Sequence, residues 1–143
     1  LNSNTFNPRG TTALLDSIGA TINSTKRRID NNGKSNKPAN VIIAIITDGY
    51  ENASVEYSRK AISKMIHNRE KKDNWNYMFL AANQDAIKEG ARFGIHSERA
   101  LTFKNNRKGV ENAFHSMSNI CYSLNDDSIS EIKFSNKDRM KQN

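Results

Sequence analysis

The segment Val41-Ile42-Ile43-Ala44-Ile45-Ile46-Thr47-Asp48-Gly49-Tyr50-Glu51-Asn52 most constrains the fold. Six apolar residues, most of them β-branched, end abruptly in Thr-Asp-Gly. A run that short and that rich in Ile is expected to be a strand buried on both faces, as in a parallel sheet. Gly49 after Asp48 suits a tight turn. Ligands of open α/β sheets bind just beyond the carboxyl ends of the strands. Asp48 therefore stands where a binding site is expected.

The flanking periodicity supplies the other elements. Leu14, Leu15, Ile18 and Ile22 fall at helical spacing. Thr11 or Thr12 can cap that helix, and Asp16 suits its positive end. Asn31-Asn32-Gly33 and the stretch 35–38 close it. After the Asp-Gly turn, Ser58 can cap a second helix with Ala61, Ile62, Met65 and Ile66 on one face. Residues 75–82 read as a second strand, closed by Asn83-Gln84-Asp85. A third helix contains Ile87, Ala91 and Phe93 and stops at Gly94. Leu101 to Phe103 is a short third strand. A fourth helix starts near Lys108 and carries Val110, Ala113, Phe114, Met117, Cys121 and Leu124 as its apolar stripe, with Ser116, Ser118 and Ser123 on the polar side. The alternation implies an α/β domain over residues 1–124, with a mostly parallel sheet and helices on both faces. Residues 125–143 are expected to be a polar tail or linker.

Composition removes several classes. One cysteine, Cys121, allows no internal disulfide, and its place on an apolar face suits a buried thiol in a reducing, cytoplasmic setting. No apolar run reaches the ~20 residues of a membrane helix. The net charge of +7 invites a nucleic-acid reading. Against it, the basic residues are dispersed, as at Lys26–Arg28, Arg69–Lys72, Lys104–Lys108 and Lys137–Lys141. Such runs suit helix ends and solvated faces, so a nucleic-acid partner is not expected. His67, His96 and His115 lack zinc-ligand spacing. Gly-x-Ser-x-Gly, Gly-x-Gly-x-x-Gly and P-loop signatures are missing, which points away from an esterase or a nucleotide enzyme.

Taken together, Pro8-Arg9-Gly10-Thr11-Thr12-Ala13-Leu14-Leu15-Asp16 opening a helix and Ile45-Ile46-Thr47-Asp48-Gly49 closing a strand resemble a von Willebrand factor A domain. Phe79-Leu80-Ala81-Ala82-Asn83-Gln84-Asp85 and Ala91-Arg92-Phe93-Gly94-Ile95 are similar to a bacterial and phage branch of that family. The resemblance spans about Asn7 to Leu124. It implies a Rossmann-like fold and a metal-ion-dependent adhesion site. There a Mg²⁺ or Mn²⁺ ion is held by loops that include a Thr, matching Thr12, and the Asp of Thr-Asp-Gly, matching Asp48. The ion's open position takes an acidic group from a partner protein. Thr11, Gly49, Glu51 and Asn83 fall where the rim of that site would be. Glu51 and Asn52 suit loop shaping, and Asp85 suits a helix cap. The implied function is non-catalytic protein–protein interaction.

The family's Asp-x-Ser-x-Ser motif has no counterpart ahead of Thr12, and the run Asp126-Asp127-Ser128-Ile129-Ser130, which has that pattern, lies in the expected tail. In the family it ends the first strand, which would precede Leu1 and lie beside the strand ending at Asp48. The chain is thus expected to represent the C-terminal two-thirds of the fold. Its Val41–Ile46 strand would present an open edge to the missing segment or to a second copy of the chain. One carboxylate and one hydroxyl would hold Mg²⁺ weakly or not at all. The alternatives are a basic nucleic-acid-associated protein and an α/β hydrolase or nucleotide-binding domain.

Overall fold

The computed structural model describes residues 13–33, 38, 40–51, 53–83 and 85–142. Helix α1 (Leu14–Asn31) precedes strand β1 (Ile42–Thr47) and helix α2 (Arg59–Asp73). Strand β2 (Asn76–Ala82), helix α3 (Ala86–Ala91) and a single 3₁₀ turn (Ser97–Arg99) lead into strand β3 (Ala100–Phe103). Helices α4 (Arg107–Asn125) and α5 (Asn136–Met140) follow. The strands form one parallel sheet in the order β1-β2-β3, with Thr47 level with Ala81 and Ala82 level with Phe103. The fold is α/β with helices on both faces of an open sheet.

Local chemistry explains the boundaries. Ser58 accepts a hydrogen bond from the Ala61 amide and starts α2. Asp85 does the same for α3 through Lys88, and Asn106 for α4 through Gly109. Gly94 takes φ +82° just beyond α3, a conformation that costs a residue with a Cβ.

Strand β2 is the middle of the sheet and is buried from Tyr77 to Ala82 without interruption. Its side chains alternate between two cores. Tyr77, Phe79 and Ala81 face α1 and α2, packing with Ile18, Ile22, Ile45, Ile62 and Ile66. Met78, Leu80 and Ala82 face α4, packing with Ala113, Ile120 and Leu124. Full burial of each large apolar side chain here stabilises the fold by about 1.5–3 kcal/mol.

The structure corrects three expectations. First, β1 is not buried on both faces. Ile43, Ile45 and Thr47 are buried, Ile42 is half-buried, and Ala44 and Ile46 are exposed. Helix α4 lies over β2 and β3, and among the described residues β1 pairs only with β2. Secondly, the core face of α4 is rotated. Gly109, Ala113, Ser116, Ile120 and Leu124 point inward, whereas Phe114 is 45% exposed. Ser116 is thus a core residue rather than part of the polar face, and it lies against Asp138 of α5.

Thirdly, the segment after Asn125 is docked rather than a free tail. Ile132 and Phe134 are buried in the α4-side core. The Phe134 amide donates to the Glu98 carbonyl at 2.7 Å. The Arg139 guanidinium donates to the carbonyls of Ala100 and Ser97, both at 2.8 Å. Ser135 and Asp138 form a capping box that starts α5. Phe134→Ala should therefore lower the unfolding free energy by about 3 kcal/mol, as expected for a buried aromatic side chain. Urea unfolding checks this, and an unchanged midpoint would mean that the segment is not part of the core.

Candidate functional site

The site predicted from sequence lies where the carboxyl end of β1 meets the start of α1. Thr47, the last residue of β1, closes the turn with its side chain. Its hydroxyl donates to the Gly49 carbonyl at 2.7 Å and accepts from the Gly49 amide at 3.2 Å. Gly49 does this without a left-handed φ. Asp48 is exposed, and no described residue bonds to its carboxylate. It follows directly on the Thr47–Ala81 pair that ends the register between β1 and β2.

The next acid has a different fate. Glu51 Oε1 accepts hydrogen bonds from the amides of Ala53 (3.0 Å) and Ser54 (2.7 Å). Its Oε2 accepts from the Leu15 amide (2.9 Å) and the Ser54 hydroxyl (2.8 Å). A carboxylate offers about four lone-pair positions, so those of Glu51 are filled by protein donors. Burial works against its charge, but the hydrogen bonds from Ser54, Leu15 and Ala53 outweigh it and hold the carboxyl at about 2.

Glu51 also answers a need of α1. The first amides of a helix have no partners inside it. The N-cap position is Ala13, which has no side-chain acceptor. Glu51 takes the Leu15 amide, and Ser54 Oγ takes the Asp16 amide at 3.1 Å. The helix is therefore capped from a loop 36 to 38 residues away. The carboxylate also lies at the positive end of the helix dipole.

Asp16 completes the exchange. Its Oδ2 accepts from the Val55 amide (2.8 Å) and its Oδ1 from the amides of Glu56 (3.0 Å) and Tyr57 (2.9 Å). The Val55 amide above all, with smaller help from Tyr57 and Glu56, holds Asp16 below the usual carboxylate range against the cost of burial. Tyr57 then lies across Gly19, where a Cβ would meet its ring at 2.7 Å, and its hydroxyl accepts from Asn23. Two acids on different elements thus fasten the loop 51–57 to α1.

The expected site residues therefore separate. Asp48 is available, and Glu51 shapes the loop. Asn83 lies one step past β2 with φ +54°, and its side-chain oxygen accepts from the Asn105 amide at 3.1 Å. Asp85 caps α3 at 3.0 Å. Thr11, Thr12 and Asn52 lie outside the described residues. Among the described residues no group of three or more His, Cys, Asp or Glu could hold a metal ion. Cys121 is half-buried, and burial pushes its thiol up, away from the reactive thiolate.

No protein-family model, curated protein or solved structure matches the chain. Among the described residues no helix is long and apolar enough to cross a membrane.

The acid response of Glu51 has a defined sign. Its carboxyl falls from an ordinary 4.5 to about 2 in the folded chain. Its contribution to stability is therefore complete above pH 4.5 and is lost as pH falls toward 2. Glu51→Gln should lower stability at pH 7 by about 1–3 kcal/mol, the worth of hydrogen bonds to a charged group. The variant should also lose less further stability between neutral pH and pH 3 than the wild type does. Urea titrations at several pH values measure both. Parallel pH profiles would show that Glu51 does not carry this charge-dependent cap.

Proposed function

We propose that this chain is a non-catalytic protein-interaction domain that takes an extended segment of a partner along the open edge of β1. One observation carries the reading. The strand Val41–Ile46 has the composition of an interior strand, but among the described residues it occupies an edge position, with Ala44 and Ile46 exposed. Natural edge strands are blunted by charges, proline or bulges. Residues 41–47 contain no charge and no proline. A groove of about 540 Å³ runs beside this strand, between Val41–Ala44 and the Thr21, Thr25 and Arg28 side of α1. An added strand would satisfy the outward amides and carbonyls of β1, and apolar partner side chains would cover Ala44 and Ile46.

The von Willebrand A resemblance supports the same reading from the sequence side. Its adhesion site would place a Mg²⁺ or Mn²⁺ ion on Asp48 and Thr12. The described residues do not fit a self-contained site of that kind. Mg²⁺ takes six oxygens in near-octahedral geometry, whereas Glu51 is filled and Asp48 is the one available carboxylate of the β1 turn. Docking along β1 needs no ion. Asp48 would mark the end of the docked strand and meet donors on the partner.

Without a partner, the same edge should pair with that of a second copy. Sedimentation equilibrium of the wild type should show concentration-dependent dimers. Ala44→Lys/Ile46→Lys, which charges exposed positions only, should remain monomeric with an unchanged fold. A wild type that stays monomeric at every accessible concentration and melts in one cooperative step would overturn the proposal. The isolated chain should also show no tight Mn²⁺ binding by calorimetry. A saturable isotherm that Asp48→Ala abolishes would restore the complete metal site.

A further inference from the structure

Beyond the β1 edge, the fold gathers part of the dispersed positive charge into one line. On α2 the charges of Lys60, Lys64 and Lys71, with the His67 imidazole between the last two, recur at intervals of four, three and four residues, and all four side chains are exposed. That spacing keeps them on one helix face. At 1.5 Å per residue the row is ~16 Å long. Between this face and the turn after α3 lies an open groove of about 760 Å³, with Arg59 and Arg92 at its border and Phe93 and Ile66 beneath.

The acids near this groove are already engaged. Glu70 is paired with Arg99 at 2.9 Å. Glu89 is paired with Arg92 at 3.0 Å and stands 3.9 Å from Arg59. Lys60 and Lys64 have no acidic partner among the described residues. The Arg59 guanidinium is held 5.3 Å over the Phe93 ring, yet its Nη1 is buried with no hydrogen-bond partner among the described residues. That nitrogen faces Glu89 Oε2 at 3.9 Å, beyond hydrogen-bond reach. The position of these cations is also unusual for a helix. The first turn of α2 carries Arg59 and Lys60 and no acid. Cations there oppose the helix dipole, which favours anions at that end. Residues that violate a local rule without local compensation point to a function.

We infer that the α2 face and its groove bind the phosphodiester backbone of a nucleic acid, without reading its sequence. A single phosphate cannot engage a row ~16 Å long, but a strand with a charge every ~3.4 Å can. An acidic peptide is the weaker fit. The floor residues Phe93 and Ile66 are each 1% exposed, so neither is open to a peptide side chain. An arginine fixed on an aromatic ring suits the two-oxygen face of a phosphate.

The test is fluorescence anisotropy with a labelled oligothymidylate and a labelled duplex, at a series of salt concentrations and with polyglutamate as competitor. Lys60→Gln/Lys64→Gln should bind both nucleic acids ~10-fold more weakly and flatten the slope of log K against log salt by roughly 1.8 on the duplex and roughly 1.4 on the single strand, near 0.9 and 0.7 for each phosphate no longer neutralised. Arg27→Gln/Lys108→Gln, two exposed cations elsewhere with the same charge change, should bind like the wild type. Thermal melts confirm that the variants fold. Equal losses in both double variants would overturn the inference in favour of diffuse charge. Polyglutamate displacing the oligonucleotide at equal charge concentration would overturn it in favour of an acidic protein partner. Absence of binding by the wild type at low salt would overturn it outright. The Ala44→Lys/Ile46→Lys variant separates the two surfaces, since it should lose self-association and keep nucleic-acid binding.

Discussion

Strand β2 carries the fold because both of its faces are buried. Every other element is placed by which face of β2 it covers. Parallel neighbours cannot be joined by a tight turn, so each passage from one strand to the next must cross a face. Helix α2 makes one crossing and packs beside α1 on Tyr77, Phe79 and Ala81. Helix α4 closes the opposite face over Met78, Leu80 and Ala82. With three strands among the described residues, this arrangement leaves β1 with one paired edge and one half-covered face. The open edge and the exposed Ile46 thus follow from the same topology.

The sequence reports its elements well where the signal is local. Ser58 and Asp85 cap the helices that follow them, and Gly94 ends α3, because caps and left-handed turns are decided within a few residues. It reports burial less well. Val41–Ile46 and Tyr77–Ala82 look equally apolar, yet only the second is central, since position in a sheet depends on partners far away in the chain. The α4 stripe is similarly displaced. Ser116 turns inward because α5 lies on its side of the helix, and Asn112 donates to the Lys141 carbonyl across the same contact. Nothing in the polar segment 136–140 announces that packing except the Ser135–Asp138 capping pair.

The candidate site divides along the same line. Asp48 is placed by the strand that ends before it, so the position of the acid is legible. The roles of Glu51 and Asp16 are not, because their partners lie 36 to 41 residues away. Glu51 followed at the third position by Ser54 is a pattern that could have suggested a loop closing on its own amides. Its reach to α1 has no such signature. Basic residues show the reverse effect: scattered in sequence, Lys60 and Lys64 become neighbours in a row only once α2 is a helix.

The exchange between Glu51 and α1 has a kinetic consequence. In proteins most of a helix's stability comes from tertiary packing, and the N-cap of α1, Ala13, supplies no side-chain cap. Among the described residues, its first turn takes its side-chain partners from the loop after β1, through Glu51 and Ser54. That loop in turn is ordered by Asp16, which the helix must already present. Each half supplies acceptors to the other, so the ordering of α1's first turn is expected to couple to the arrival of the loop after β1, across 36 to 41 residues of chain. Such long-range closure places this domain among slower folders than helical bundles of similar size.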